Sequence, residues 1–371
     1  MVNLYICYTT HNMIVLGIES SFDDTTAAVV KDCNEMLSNS FMTSIEQHIP
    51  FGGVVPEIAA RSHVEYIIPV IDQALETAFP DSTTEEAWEK IDAIAVTYGA
   101  GLGGSLLIGV TTAKTIALCR KKPLYAINHV EAHVYANFLT KTSLSDYKLS
   151  AHSPQFPILA LIVSGAHSQL VLFRDHFDYT MLGQTRDDAI GEAFDKVAKI
   201  IGLPYPGGPS VAAAAKLGDP YKYKVPKAKL DNKYEYSFSG PKTAVLRLAQ
   251  ELIGEDYTFP SFKLAERLSE SQKNDIAASF QRVAVETVVD KTALAYEEFL
   301  PKSVVIAGGV AANQELRRQL SERIPIPIEY TDPKLCTDNG AMIATLGCFK
   351  MKHDQPTADP YTLQINPNLS M

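Results

Sequence analysis

The strongest constraint on the fold is that the chain repeats itself. Ile14-Val-Leu-Gly-Ile18 is a short apolar run of the kind that forms a buried strand. Glu19–Thr26 is a polar turn, and Ala27-Ala-Val-Val30 returns as a second strand. About 145 positions later, Phe156–Val163, the turn Ser164–Ser168 and Gln169–Phe173 repeat that order. A second unit recurs as well. A strand over Ile91–Val96, a glycine-rich stretch Thr97–Ser105 and a helix over Leu106–Cys119 are matched by Ser303–Ala307, Gly308-Gly309 and a helix from Ala311 to about Leu320. Two hairpins and two strand–glycine–helix units in the same order predict a duplicated α/β fold, and duplicated lobes of this kind place a nucleotide in the cleft between them.

The turns carry the chemistry. A hairpin tip rich in Ser, Thr and Asp is either an ordinary polar turn or a cradle for a phosphate or a metal-bound phosphate. A glycine-rich link between strand and helix aims backbone N–H groups at an anion, although Thr97–Ser105 matches neither the Walker nor the Rossmann spacing. After a strand at Leu124–Ile127 comes His129-Val-Glu-Ala-His133. Two histidines four residues apart fall about 40° apart around a helix and can share one metal ion. A zinc peptidase would place its basic Glu directly after the first His. Here Glu131 lies two positions on, about 200° round the helix, and faces away. A third ligand must come from elsewhere. Asp338, in the polar turn Cys336-Thr-Asp-Asn-Gly340 that enters a helix, is the best-placed candidate.

Five cysteines (7, 33, 119, 336 and 348) without a CxxC spacing suggest a reducing compartment and no disulfide framework. No apolar run reaches the roughly 18 residues that span a bilayer. The net charge of −10 disfavours broad nonspecific nucleic-acid binding but leaves room for a local basic patch. Residues 221–247 are such a patch, with six Lys and one Arg against Asp231 and Glu235. Tyr221, Tyr223, Tyr234, Tyr236 and Phe238 are interleaved, a composition that suits RNA backbone contact and base stacking or a plain solvated loop.

The remaining elements set the expected domain plan. An amphipathic helix follows Gly52–Glu57 and runs to about Phe79, with Glu57 and His63 as surface or capping residues, and Asp81–Lys90 is a polar connector. A helix over Asp188–Ile201 has Asp187 or Asp188 as N-cap and Gly202 as its stop. Tyr205-Pro-Gly-Gly-Pro209 is a rigid turn whose glycines tolerate positive φ and can let a ligand lie on bare backbone. The expected division is an N-terminal extension over 1–12, a first lobe over 13–140, a linker over 141–155, a second lobe over 156–348 with a helical insertion at about 185–300, and a tail over 349–371.

Together these segments resemble the TsaD family of tRNA threonylcarbamoyladenosine synthesis, once described as O-sialoglycoprotein endopeptidases. The matching stretches are Gly17-Ile-Glu-Ser-Ser with Asp23-Asp24, Gly52–Glu57, His129-x3-His133, Ile162-Val-Ser-Gly165, Asp187–Lys196, Tyr205–Pro209, Tyr236–Gly240 with Lys242-Thr243, Ala307–Asn313 and Cys336–Ala344. The resemblance implies an actin-like (ASKHA) fold of two α/β lobes with a ligand cleft. It also implies transfer of a threonylcarbamoyl group from threonylcarbamoyl-AMP to the exocyclic amine of adenosine 37 in tRNAs reading ANN codons. On the motif matches, His129, His133 and Asp338 would ligate one divalent metal, iron (Fe2+) first and zinc (Zn2+) second. Ile162, Val163, Ser164, Gly165 and Ala166, with Asp195, Gly208 and Asn313, would hold the adenylate. Asp23 and Asp24 would line the reacting end. The motif variants are similar to the bacterial branch, since His167 stands where the archaeal branch usually has Asn. That branch implies a cytoplasmic enzyme working with TsaB-like and TsaE-like subunits and an upstream TsaC-like adenylate-forming enzyme, with helices around 60–79 and 106–119 as docking faces.

Four positions depart from the family pattern: Phe22 for Cys, Ala100 for Pro, Ala166 for Gly and Pro241 for Leu. If the glycine replaced at 166 needs positive φ, Ala166 costs on the order of 1 kcal/mol and weakens adenylate binding. The rival readings are a metal-dependent glycoprotein endopeptidase, disfavoured by the direction of Glu131, and a noncatalytic actin-like nucleotide-binding scaffold.

Overall fold

A computed structural model describes residues 12–371; positions 1–11 of the expected N-terminal extension lie outside the described residues. The first sheet is built from β1 (Ile14–Glu19), β2 (Asp24–Lys31), β3 (Glu35–Thr43), β4 (Ala93–Gly99), β5 (Leu124–Asn128) and β6 (Lys141–Thr142), in the order β5-β4-β1-β2-β3-β6. The second holds β7 (Ile158–Val163), β8 (Ser168–Asp175), β9 (Asp178–Gln184), β10 (Ser303–Ala307) and β11 (Ile328–Glu329), in the order β11-β10-β7-β8-β9. In each sheet an antiparallel meander opens the lobe, and a later strand joins the first strand of that meander in parallel: β4 on β1, and β10 on β7. The duplication read from the sequence is therefore present in the topology. The strands at the centre of each sheet are buried along nearly their whole length and mostly apolar, the polar Glu19, Thr97 and Ser303 falling at or near strand ends.

Helix Gly340–Lys352, late in the chain, lies against the first sheet and makes the close approach on which the site depends. A Cβ on Gly17 of β1 would stand 2.3 Å from both the Ala344 nitrogen and the Gly340 oxygen, so only glycine lets strand and helix meet. Helix His129–Tyr135 and helix Gly340–Lys352 share one apolar core with the inner faces of both sheets, including Ala132, Ala160, Ile162 and Met342. The chain end returns over the first lobe: Ala358 N–H donates to Leu124 O, and Asn366 N–H donates to Tyr98 O.

Several local expectations are corrected. Residues Thr84–Lys90 of the polar connector form a helix, capped by reciprocal bonds between Thr83 and Glu86. The strands β3 and β9 carry too many polar residues to be read as apolar runs. Helix Ile190–Ile201 has Ala189 at its N-cap rather than Asp187 or Asp188; Asp187 accepts from the Phe238 and Ser239 amides, and Asp188 pairs with Lys196 and Lys242. Gly202 ends that helix in the left-handed region, as expected. Cys33 and Cys348, 315 residues apart, form a disulfide with a Cα–Cα distance of 5.1 Å, which the scattered spacing gave no reason to expect. Gly207 and Gly208 open helix Gly207–Ala215 with ordinary φ; glycine is needed at 207 because a Cβ there would lie 2.4 Å from Asp195 Cα.

Candidate metal and adenylate site

Asn128 ends β5 and caps the next helix, its side chain accepting from the amides of Val130 and Glu131. That turn delivers His129 and His133 to the interior, where both are buried, and their ring centroids lie 4.7 Å apart. Asp338 reaches them from the turn before helix Gly340–Lys352. Its Oδ1 is 3.5 Å from His129 Nε2 and 3.4 Å from His133 Nε2. Two ligand atoms about 2.1 Å from one ion at a tetrahedral angle stand about 3.4 Å apart, so these separations suit three ligands of one metal. All three donor atoms lie within 4.8 Å of one another. His129 Nε2 and both nitrogens of His133 are buried without a hydrogen-bond partner, a costly state that coordination through Nε2 would relieve at that atom of each ring. Burial works against the Asp338 charge, but His129 and His133 offset it and hold the carboxyl at about 2, already in ligand form.

One residue quoted only as part of a motif proves central. Glu19, fully buried at the end of β1, contacts His129 Nδ1 at 3.1 Å through Oε2 and also accepts from the Ser21 amide and the Thr97 hydroxyl. Burial works against a charge on His129, but Asp338 and Glu19 together raise the ring to about 9, so without a metal it is cationic; Glu19 accepts its Nδ1–H, and a metal would take the place of the Nε2 proton. No spacing rule links two residues separated by 110 positions. Glu131 points elsewhere, as its helix position required. Burial lifts its carboxyl to about 7, with Lys350 acting in the opposite direction.

Asp23 and Asp24 sit at the β1–β2 turn, beside this centre. Burial raises the Asp23 carboxyl, and the charge of Asp338 adds to it. Burial pushes Asp24 to about 7, against a hydrogen bond from Thr43, with Asp23, Asp338 and Glu19 adding repulsion. Phe22, the departure from the usual Cys, packs its ring edge toward His129 at 5.5 Å. Burial pushes the Tyr205 hydroxyl up to about 12, and the charges of Asp195 of the second lobe and of Asp23 and Asp24 of the first push it the same way. The sequence reading gave it no role.

Across the cleft, the turn after β7 is drawn tight. Ser164 Oγ accepts from the amides of Ala166 and His167, and Ser164 N–H donates to His167 O. Gly165 and Ala166 are exposed, whereas the side chains of Ile162 and Val163 are core, leaving only their backbone for a ligand. Gly308, at φ 88°, backs onto Val163 O at 2.5 Å from where a Cβ would be, which brings the Gly308–Asn313 turn beside this loop. Asp195 accepts the Gly207 amide at 2.7 Å and so fixes the start of the helix bearing Gly208, above which a Cβ would meet open space. Asn313 caps helix Gln314–Arg323 through Leu316 N–H and donates to Gln281. Both Asp195 and Asn313 thus brace the loops around the cleft.

Two expectations about side chains fail. Ala166 does not occupy the left-handed region, so the backbone penalty foreseen there is absent. In the basic segment, Tyr234, Tyr236 and Phe238 are buried in the second lobe's core and cannot stack on bases. Lys227, Lys233 and Lys242 are paired with acids, leaving Lys222, Lys224 and Lys229 exposed. Pro241 is accommodated in the first turn of helix Ser239–Leu252, where its missing N–H leaves no intrahelical bond unmade.

Residues 35–345 match the family model described as TsaD, tRNA N6-adenosine threonylcarbamoyltransferase. A protein of that name from Thermomicrobium roseum is 47% identical over 339 residues, covering 90% of each chain. Another from Caldicellulosiruptor saccharolyticus is 46% identical over 362 residues, covering 97% of this chain and 98% of that one. Among solved structures, full-length HypF in its phosphate- and nucleotide-bound form aligns with a TM-score of 0.54 at 15% identity, over 92% of this chain and 47% of that one. HypF from T. kodakarensis gives the same TM-score at 14% identity, over 92% and 48%. At such identities these two speak to the fold alone, which is the actin-like one.

Proposed function

The chain belongs to the TsaD family, and on that premise we propose that it transfers a threonylcarbamoyl group from threonylcarbamoyl-AMP to the exocyclic amine of adenosine 37 in tRNAs that read ANN codons. The observation that carries this reading is the convergence of three residues fit to ligate a metal, two desolvated carboxylates that feel Asp338, and the Ser164–Ser168 loop, whose His167 ring lies 6.2 Å from that of His129.

His129, His133 and Asp338 would hold one divalent ion, Fe2+ or Zn2+, which with open positions supplies Lewis-acid stabilisation to carbonyl or phosphate oxygens. The remaining work belongs to the chain. Backbone of the Ile162–Ala166 segment and the bare surface at Gly208 would carry the adenylate, with Asp195 and Asn313 holding those loops. AMP is a good leaving group, so positioning the weakly nucleophilic amine should supply much of the rate. Asp24, whose carboxyl burial lifts to about 7 with repulsion from Asp23 adding to it, is suited to accept the amine proton.

Features of the surface support docking of the proposed partners. Val64 and Ile68 on helix Pro56–Ala78 and Leu107 on helix Gly103–Arg120 are 60%, 53% and 53% exposed, an apolar face suited to a TsaB-like subunit, with a TsaE-like subunit joining the complex. A TsaC-like enzyme would supply the adenylate upstream. Exposed Lys222, Lys224 and Lys229 would meet tRNA phosphates. Among the described residues no helix is long and apolar enough to cross a membrane, and the tRNA substrate implies a cytoplasmic setting. The test is reconstitution with threonylcarbamoyl-AMP labelled in the threonyl group, unmodified tRNA and these subunits. Label should enter tRNA bearing adenosine at position 37 and not a variant substituted there; label in neither, with competent partners, would overturn the proposal.

A further inference from the structure

Two buried histidines outside the metal centre have so far been given no task, and one of them, His63, was expected at the surface or as a cap. His63, on helix Pro56–Ala78, is fully buried, with Nε2 2.8 Å from Phe22 O and Nδ1 2.8 Å from Thr25 Oγ1. A carbonyl only accepts, so Nε2 carries the proton, and the Thr25 hydroxyl donates to Nδ1 of the neutral ring. Burial favours that neutral form. His48, also fully buried, accepts the Val55 amide on Nδ1 at 3.2 Å, which leaves Nε2–H to donate to Ser44 Oγ at 3.0 Å. Ser44 then donates its hydroxyl to Asp23 O at 2.8 Å. Every donor in these two chains has an acceptor, and the direction of each is fixed. They converge on one turn, at the carbonyls of Phe22 and Asp23 and the hydroxyl of Thr25.

We propose that His63 and His48 are positioning residues that clamp the Phe22–Thr25 turn, His63 tying Phe22 to Thr25 and His48 holding the Asp23 carbonyl through Ser44, so that Asp23 and Asp24 stay at the reacting end beside the metal ligands. This rests on the carboxylate roles given above. Neither histidine touches substrate. Each imidazole spans two groups at a fixed separation, which a flexible side chain does not do without loss of rotamer freedom. A turn whose tip carries two mutually repelling, desolvated acids requires such bracing, because both acids would otherwise swing toward water.

The test uses the reconstituted, metal-loaded complex with three replacements at one position. His63→Gln places an amide N–H near Nε2 and keeps the bond to Phe22 O. His63→Asn mimics only the Nδ1 end and loses that bond, and His63→Leu loses both. A misplacement of about 1 Å costs on the order of a hundredfold in rate. Expected is a fall in kcat of that order for Leu and Asn, with KM for the adenylate and metal content held within about twofold, and recovery by Gln to within about threefold of wild type. Histidine 15N spectra of the folded chain should show His63 as the neutral Nε2–H tautomer. Equal losses in kcat and adenylate affinity across all three variants, or full kcat in His63→Leu, would overturn the positioning role. Asp24→Asn and the double variant with His63→Leu separate this from the reading beneath it. Asp23→Asn and Asp24→Asn that both retain full kcat retire the carboxylate roles and the clamp's purpose with them. An impaired Asp24→Asn whose loss multiplies with that of His63→Leu retires the clamp alone, since a residue acting through Asp24 adds little once Asp24 is gone.

Discussion

Glu19→Gln isolates the proposed orientation of the metal ligand. In the wild type one buried carboxylate contacts His129 Nδ1 at 3.1 Å and accepts from the Ser21 amide and the Thr97 hydroxyl. The amide has nearly the same volume, so the core is not opened, but it offers one acceptor oxygen where the carboxylate has two. If its NH2 meets His129, the ring is driven to the Nε2–H tautomer, and the atom that should bind metal becomes a donor. If its oxygen meets His129, the tautomer survives on a less basic ring, and the NH2 faces the Ser21 amide. Removing an orienting carboxylate of this kind costs about 10- to 100-fold in metal affinity, or about 1.4–2.7 kcal/mol. The assay is competition for Fe2+ or Zn2+ against a chelator of known affinity, alongside the melting temperature of the metal-free protein. Affinity within about threefold of wild type, with the variant folded, would refute the role assigned to Glu19.

Other consequences follow from the same geometry. Asp338→Asn should abolish stoichiometric metal binding while the metal-free protein stays folded, as elemental analysis and a thermal melt would show. The rate of transfer should rise tenfold per pH unit below about 7 and level above it, because Asp24 with a pKa raised to about 7 must lose its proton to act; Asp24→Asn should remove that limb. The stability sign runs the other way. An acid raised in the folded state stabilises fully below its unfolded value and progressively less as pH climbs through about 7, so Asp24→Asn should flatten the pH dependence of the melt there. Gly17→Ala should destabilise by about 1–3 kcal/mol and displace Asp338, since the new methyl meets backbone of helix Gly340–Lys352; denaturant unfolding with metal titration would detect both. Ala166→Gly should leave adenylate affinity within about twofold in a binding titration, because no left-handed strain is there to relieve.

The sequence was most informative where burial is two-sided. β1, β4, β7 and β10 are read directly because a strand covered on both faces carries a nearly continuous apolar run, and their shared order exposed the duplication. β3 was hidden by Ser38, Asn39 and Ser40, which occupy a strand without an apolar pattern. The metal ligands were legible by different means. His129 and His133 follow from one helical turn, whereas Asp338 is only a candidate from its turn at a helix entrance, strengthened by the family motif, and only the fold places it 3.4 Å from His133. Glu19, the Cys33–Cys348 pair and the tail bonds to Leu124 and Tyr98 join residues about 100 to 315 positions apart, where no local spacing carries information. The tyrosines of residues 234–236 show the opposite error: interleaving with lysines suggested RNA contact, but the rings fill the core and the lysines flank it.

The central claim is that one centre, His129–His133–Asp338 beside Asp23 and Asp24, serves carbamoyl transfer to tRNA. Its most direct test is single-turnover formation of the modified nucleoside, followed by mass spectrometry, in the reconstituted complex with and without bound metal. Transfer that requires the metal and is lost in His129→Ala and Asp338→Asn, with adenylate still bound, is the predicted result. Wild-type turnover in metal-free protein or in either ligand variant would contradict the account.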